Sequence, residues 1–214
     1  MGEQRNFGQE VHMKASSSAL IVVDVQNDFC PGGALAVPGG DEVVPVINAM
    51  MPEFQTVVLT QDWHPSGHSS FASQHDGKAP LETTEMSYGT QVLWPDHCVQ
   101  GSRGAEFHAA LNTDPAQLII RKGFRAGIDS YSAFFENDQK TPTGLLGYLQ
   151  TRGVTSLVMT GLATDFCVNY SAQDAARLGF EVTVDLQACR GIDLGGSLNE
   201  ALRDMKAMGI TISA

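Results

Sequence analysis

Six short apolar, β-branched runs punctuate the chain, at Ala19–Val25, Thr56–Gln61, Gln117–Lys122, Ser156–Gly161, Glu181–Leu186 and Ile210–Ser213. Unbroken runs of this length predict strands buried on both faces rather than strands with one wet side. Between them, Asp41–Met51, Thr143–Thr151, Phe166–Leu178 and Ser197–Met208 carry apolar residues at helical spacing, and Gly153, Gly179 and Gly209 stand where helices stop. Alternating strand and helix predicts a mostly parallel central sheet covered by helices on both sides, because parallel neighbours need right-handed crossovers. A ligand on such a sheet sits beyond the carboxyl ends of the strands. One stretch breaks the rhythm. From Asp62 to about Asp114 no strand pattern appears, while Trp63, Trp94, histidines, glycines and prolines accumulate, and long irregular connections in compact domains are usually functional.

Composition narrows the class. At 214 residues and 43% apolar, the chain suits one domain, assigned to residues 19–214 behind a mobile tail over 1–18. A formal charge of −11 repels phosphate backbones and anionic lipid surfaces, which argues against nucleic acid or a membrane as partner. Met1–Ser18 lacks the apolar stretch of a secretory signal, and Ala19–Val23 is far shorter than the ~20 residues that cross a bilayer. A cytoplasmic location is therefore expected, with Cys30, Cys98, Cys167 and Cys189 as free thiols.

Candidate chemistry gathers at the strand ends. Asp24 closes the first run and Lys122 the third, where a buried ammonium needs a partner and Asp24 is the obvious one. Cys167 follows a strand and turn, in what the pattern makes the first turn of a helix, whose free amides and dipole favour a thiolate and lower the pKa. The amides of Ala163 and Cys167 in that turn are placed to cradle an oxyanion. Asp62 and His64 alternate on extended backbone and so face one side. With His97 from the long loop they offer two imidazoles and a carboxylate to a divalent ion, leaving positions open; His68 and Ser70 are weaker candidates. Taken singly, each has a plainer explanation: an acid bonded to loop amides, a surface lysine, an inert buried cysteine, a hydrogen-bonded histidine.

Taken in order, Asp24-Val25-Gln26-Asn27-Asp28-Phe29, Gln61-Asp62-Trp63-His64-Pro65, Trp94-Pro95-Asp96-His97-Cys98-Val99, Arg121-Lys122-Gly123 and Gly161-Leu162-Ala163-Thr164-Asp165-Phe166-Cys167-Val168 resemble the successive motifs of the nicotinamidases, within the isochorismatase-like cysteine hydrolases. The resemblance implies a three-layer α/β/α fold and hydrolysis of nicotinamide to nicotinic acid and ammonia through a thioester, a step of NAD salvage, with pyrazinamide as a side substrate. It implies Cys167 as nucleophile, Asp24 as acid and base, and Lys122 as the charge between them. By the same resemblance Asp62, His64 and His97 hold one divalent metal, zinc first and iron or manganese next. Phe29 and Trp94 then flank the pyridine ring, Tyr131, Leu162 and Ala163 border it, and Leu162-Ala163 is a cis peptide. A homo-oligomer is compatible with the sequence. Three rivals remain: a metal-independent amidase for another small amide, an isochorismatase, in which Cys167 has no task, and a non-catalytic metal or thiol sensor.

Overall fold

The first strand shows how the layers form. In the computed structural model, which describes residues 14–214, β1 (Ser18–Val23) sends Ala19, Ile21 and Val23 to one face and Leu20 and Val22 to the other, all buried. Two cores result, one on each side of the sheet. The first takes apolar residues of α2 (Leu145–Thr151), α3 (Asn169–Arg177) and α4 (Ser197–Ala207). The second takes Val43, Val44 and Ile47 of α1 (Val43–Met50). The architecture is thus three-layer α/β/α.

The central sheet also contains β2 (Thr56–Asp62), β5 (Leu118–Lys122), β6 (Ser156–Leu162), β7 (Glu181–Arg190) and β8 (Thr211–Ser213), in the order β5-β2-β1-β6-β7-β8. Every pairing in it is parallel. The direction of winding reverses beside β1, so the crevice at the carboxyl ends of β1 and β6 is where a ligand is expected. Burial on both faces holds for β1 and β2, while the edge strand β5 alternates and leaves Ile119 47% exposed. An edge strand has one flank and part of one face uncovered, which the apolar run alone does not reveal.

The stretch expected to lack strands contains a hairpin of β3 (Thr83–Met86) and β4 (Gly89–Val92), an antiparallel pair separate from the main sheet. Its residues are mostly polar and exposed, so no apolar alternation marks it. Most of the tail expected over residues 1–18 lies outside the described residues. From Lys14 the chain is tied down: its N–H donates to the Glu53 carbonyl, and the Ser17 carbonyl accepts from Thr155 and Ser156 ahead of β1.

Close packing of β6 on β1 depends on Gly161, which has φ +107° and whose absent Cβ would stand 2.1 Å from the Val23 carbonyl oxygen. Gly161→Ala is expected to cost about 2–3 kcal/mol, since both the backbone conformation and the overlap oppose it. A urea midpoint indistinguishable from the parent's contradicts this packing.

Candidate active site

Four strand ends deliver the central groups. Asp24 stands one residue past β1, where its N–H donates to Thr60 Oγ1 at 3.1 Å and its Oδ1 accepts from the same hydroxyl at 2.5 Å. Lys122 ends β5 directly opposite Asp62, the last residue of β2, in the parallel register. Its Nζ lies 2.8 Å from Asp24 Oδ2, donates to Ser130 O at 2.9 Å and to Cys167 Sγ at 3.4 Å, and pairs closely with Asp62 Oδ1. Asp24 and Lys122 are both fully buried. Acceptor atoms of Asp24, Asp62 and Cys167 fall within 4.8 Å of one another. The expected Asp24–Lys122 pair is therefore present, but Asp62 is a second partner that the sequence pattern did not disclose.

These surroundings drive the two carboxylates apart. Burial raises the pKa of Asp24 and the nearby Lys122 only partly offsets it, whereas for Asp62 the attraction of Lys122 and His64 outweighs burial and holds it well below the usual carboxylate range. Asp62 keeps its charge, and Asp24 is the one readied to carry a proton. For Lys122 burial works against the charge, but Asp24 and Asp62 more than compensate and the ammonium is held firmly.

Cys167 differs from expectation in two respects. It lies in a π-helical turn, Thr164–Val168, that precedes α3 instead of in that helix's first turn. Its pKa is pushed well above the usual thiol value by burial, with Lys122 pulling it down only in part and Asp24 raising it further. Desolvation of a thiolate outweighs a helix terminus here, so the resting group is a thiol that needs a neighbouring base. The turn is fixed by the Ala163 carbonyl, which accepts from Phe166 and Val168, and by Asp165, which accepts from the amides of Ile192 and Asp193 and the hydroxyl of Ser197. The Leu162-Ala163 peptide bond is cis. All four cysteines are free and buried. Burial lifts Cys30 to about 11 and Cys189 to about 12, and pushes Cys98 well up, in keeping with packing roles.

Beside this cluster, one ligand atom each of Asp62, His64 and His97 lies within 4.8 Å of the others, and all three residues are buried. His64 Nε2 and His97 Nε2 stand 3.5 and 3.8 Å from Asp62 Oδ2. Each histidine engages Nδ1 with a backbone carbonyl at 2.8 Å, His64 with Gly123 and His97 with Pro95. A carbonyl only accepts, so Nδ1 of each donates and Nε2 is the atom turned to Asp62, the orientation in which two imidazoles and a carboxylate can hold a divalent cation. A side chain at Gly123 is excluded, because a Cβ there would come 2.4 Å from His64 Cε1. Asp28 anchors the His97 loop by accepting from the Cys98 amide at 2.7 Å. His68 falls outside the triad: its Nδ1 faces Ser70 Oγ at 2.7 Å and its Nε2 the Ile128 carbonyl at 3.2 Å.

A small cavity opens onto both clusters. Phe29, Trp94, Tyr131 and Ala163 line it as expected, together with Asp62, His97 and Cys167. Leu162 does not; it is fully buried in the core beside α1. Leu35, Phe166, Ile192 and Asp129 complete the wall. Phe166 had a local signal, its place next to Cys167, and so did Asp129, two residues before Tyr131 in the segment that follows Lys122; Leu35 and Ile192 arrive from separate loops.

A buried thiol beside a carboxyl that can exchange a proton with it, an ammonium and a metal-competent triad, at the carboxyl edge of a parallel α/β/α sheet, defines an amide or ester hydrolase centre of the cysteine type. The chain belongs to the isochorismatase family: the isochorismatase domain matches residues 18–214. It is 55% identical over 202 residues to a nicotinamidase of Acinetobacter baylyi, covering 94% of each chain. Among solved structures, that of an Acinetobacter baumanii nicotinamidase and pyrazinamidase superposes with a TM-score of 0.92 at 56% identity, covering 94% of this chain and 97% of that one. A pyrazinamidase of Pyrococcus horikoshii, in complex with zinc, superposes with a TM-score of 0.74 at 38% identity over 92% of this chain and 98% of its own.

Proposed function

We propose that this protein hydrolyses nicotinamide to nicotinate and ammonia, with pyrazinamide as a second substrate, and so returns a pyridine to NAD synthesis. The observation that carries the reading is the meeting of Asp24, Lys122 and Cys167 beside Asp62, His64 and His97 at the floor of one small aromatic cavity. Relatives at this identity are nicotinamidases, which supports the substrate.

Each chain residue then has a task. Phe29 and Trp94 sandwich the ring. Asp24 takes the Cys167 proton as Sγ bonds to the carboxamide carbon, and the C–O electron pair moves to an oxyanion held by the Ala163 and Cys167 amides. Asp24 returns that proton to the amine as the C–N bond breaks, and ammonia leaves a thioester. Asp24 next takes a proton from water as hydroxide adds to the thioester, and returns it to Sγ as the C–S bond breaks and the acid leaves. Lys122 holds carboxylate and sulfur together throughout. Asp62, His64 and His97 would hold the metal, which supplies a Lewis-acid anchor for the ring nitrogen.

Zinc is the proposed ion, supported by the zinc-bound relative and by a donor set of two imidazoles and one carboxylate; elemental analysis of purified protein decides it against iron or manganese. Removal of the metal by a chelator is expected to reduce ammonia release from nicotinamide at least tenfold, with recovery on adding zinc, iron or manganese. Full activity of metal-free protein contradicts the role given to the triad and favours an amidase of another kind. A cytoplasmic location is part of the proposal, supported by four unpaired thiols. Among the described residues no helix is long and apolar enough to cross a membrane.

A further inference from the structure

Gln26 joins the two strand ends whose carboxylates hold Lys122. Its N–H donates to the Asp24 carbonyl, and its own carbonyl accepts from Phe29, which lines the cavity. The side chain is fully buried and reaches across to β2. Its Oε1 accepts from the Asp62 N–H at 2.8 Å, and its Nε2 donates to the Asp62 carbonyl at 2.8 Å and to the Ala105 carbonyl at 2.9 Å. Two amide protons meet two carbonyls and the amide oxygen meets an N–H, so the group has one orientation and no spare donor. The topology explains why a side chain is needed there. β2 lies between β5 and β1. On the β5 side the ladder continues to Trp63, whose N–H donates to the Lys122 carbonyl. On the other side β1 ends at Val23, and the chain turns away at Asp24 with φ +48°. The Gln26 amide does for Asp62 what the next peptide of β1 would have done, and a buried N–H or C=O left without a partner costs as much as a lost hydrogen bond.

We infer that Gln26 is a positioning residue for the metal centre: by fixing the Asp62 peptide it aims the carboxylate, one oxygen at Lys122 and the other at the Nε2 atoms of His64 and His97. The inference rests on the metal role proposed for that triad. The two oxygens of Asp62 serve partners on different elements, so both contacts survive only while the backbone that carries them stays in place. His64 and His97 have their rings set by the Gly123 and Pro95 carbonyls. For Asp62 the equivalent constraint comes through its backbone, from Gln26. Without Gln26 the Asp62 peptide turns toward other partners, and Oδ2 leaves the point that the two imidazoles share.

Zinc affinity of the folded protein, measured by competition with a chromophoric chelator, tests this in the parent, Gln26→Met and Gln61→Met. Methionine has nearly the length of glutamine without its amide donors and acceptor. Gln61 is the control: its Nε2 donates to the same Ala105 carbonyl at 2.9 Å and its Oε1 accepts from Arg121 at 3.0 Å, but its side chain leaves the Asp62 peptide alone. Gln26→Met is expected to weaken zinc binding about ten- to a hundredfold, the range for losing an outer partner of a metal ligand. It is also expected to change the visible spectrum of the cobalt-loaded form, which reports ligand geometry. Gln61→Met is expected to keep the parental affinity and spectrum. Parental zinc affinity in Gln26→Met overturns the inference. Equal weakening in Gln61→Met overturns it as well, because a loosened Ala105 segment then accounts for both. If Gln26→Met fails to fold, Gln26→Glu, which keeps an acceptor for the Asp62 N–H and loses the amide donor to its carbonyl, carries the same test. No ammonia from nicotinamide with the zinc-loaded parent overturns the amidase reading, and the zinc affinities still decide the role of Gln26. A parent that binds no zinc overturns the metal role and the inference together.

Discussion

Cys167→Ala is expected to lower kcat on nicotinamide by about four orders of magnitude or more, the scale seen when a covalent nucleophile is removed. The expectation follows from position. Sγ is the one nucleophilic atom that lines the cavity while sitting 3.4 Å from Lys122 Nζ and within 4.8 Å of an Asp24 oxygen. Burial raises its pKa, so it depends on Asp24 to take its proton at the moment of attack. Alanine removes only that atom. Asp62, His64 and His97 are held by the Gly123 and Pro95 carbonyls and by β2, so metal content and melting temperature are expected to stay at parental values. Turnover that survives the change, in protein with normal metal content, eliminates Cys167 as nucleophile.

The second large effect belongs to Lys122→Met. The ammonium is fully buried between Asp24 and Asp62, and methionine leaves two carboxylates facing each other without a cation. Breaking a buried ion pair from one side costs about 3–5 kcal/mol, and here one cation serves two acids. Activity should fall by at least two orders of magnitude, because Asp24 and Cys167 lose the group that sets their spacing and charge. The pH dependence has a definite sign. In the parent, Asp62 is held below its unfolded value, so its contribution to stability is present above the normal carboxylate pKa and lost as pH falls through the depressed one. In the variant the share of that contribution due to Lys122 is gone, and only the part from His64 and His97 remains. The stability gap measured by urea unfolding is therefore widest near neutrality and narrows as acid protonates the orphaned carboxylates. A gap that does not change with pH contradicts the assignment.

Much of the fold and the site was legible because burial on both sheet faces writes itself as unbroken apolar runs. A charge that ends such a run, as Asp24 and Lys122 do, stands out at the carboxyl edge. Alternation on extended backbone likewise exposed Asp62 and His64 as a pair. What stayed hidden depends on contacts between distant segments. That Asp62 also pairs with Lys122 follows from the β2–β5 register, which no local pattern encodes. Leu162 next to Ala163 gave no sign that one would face the core and the other the cavity. The pKa of Cys167 was misjudged because a helix terminus is visible in sequence and desolvation is not. Thr83, Thr84, Glu85 and Gln91 carry a hairpin whose polar, largely exposed strands lack the hydrophobic alternation that marks sheets, and Gln91, the one buried among them, was missed with it.

The central claim is that one sulfur attacks the exocyclic carbon of a pyridine ring whose nitrogen faces the Asp62, His64 and His97 triad. Crystallography of the metal-loaded protein with nicotinaldehyde, the aldehyde analogue of the amide, tests it most directly. The expected density joins Cys167 Sγ to the former aldehyde carbon, with the ring between Phe29 and Trp94 and its nitrogen at the metal. Aldehyde bound in the cavity with Cys167 unmodified, or with its ring nitrogen turned away from the triad, contradicts the account.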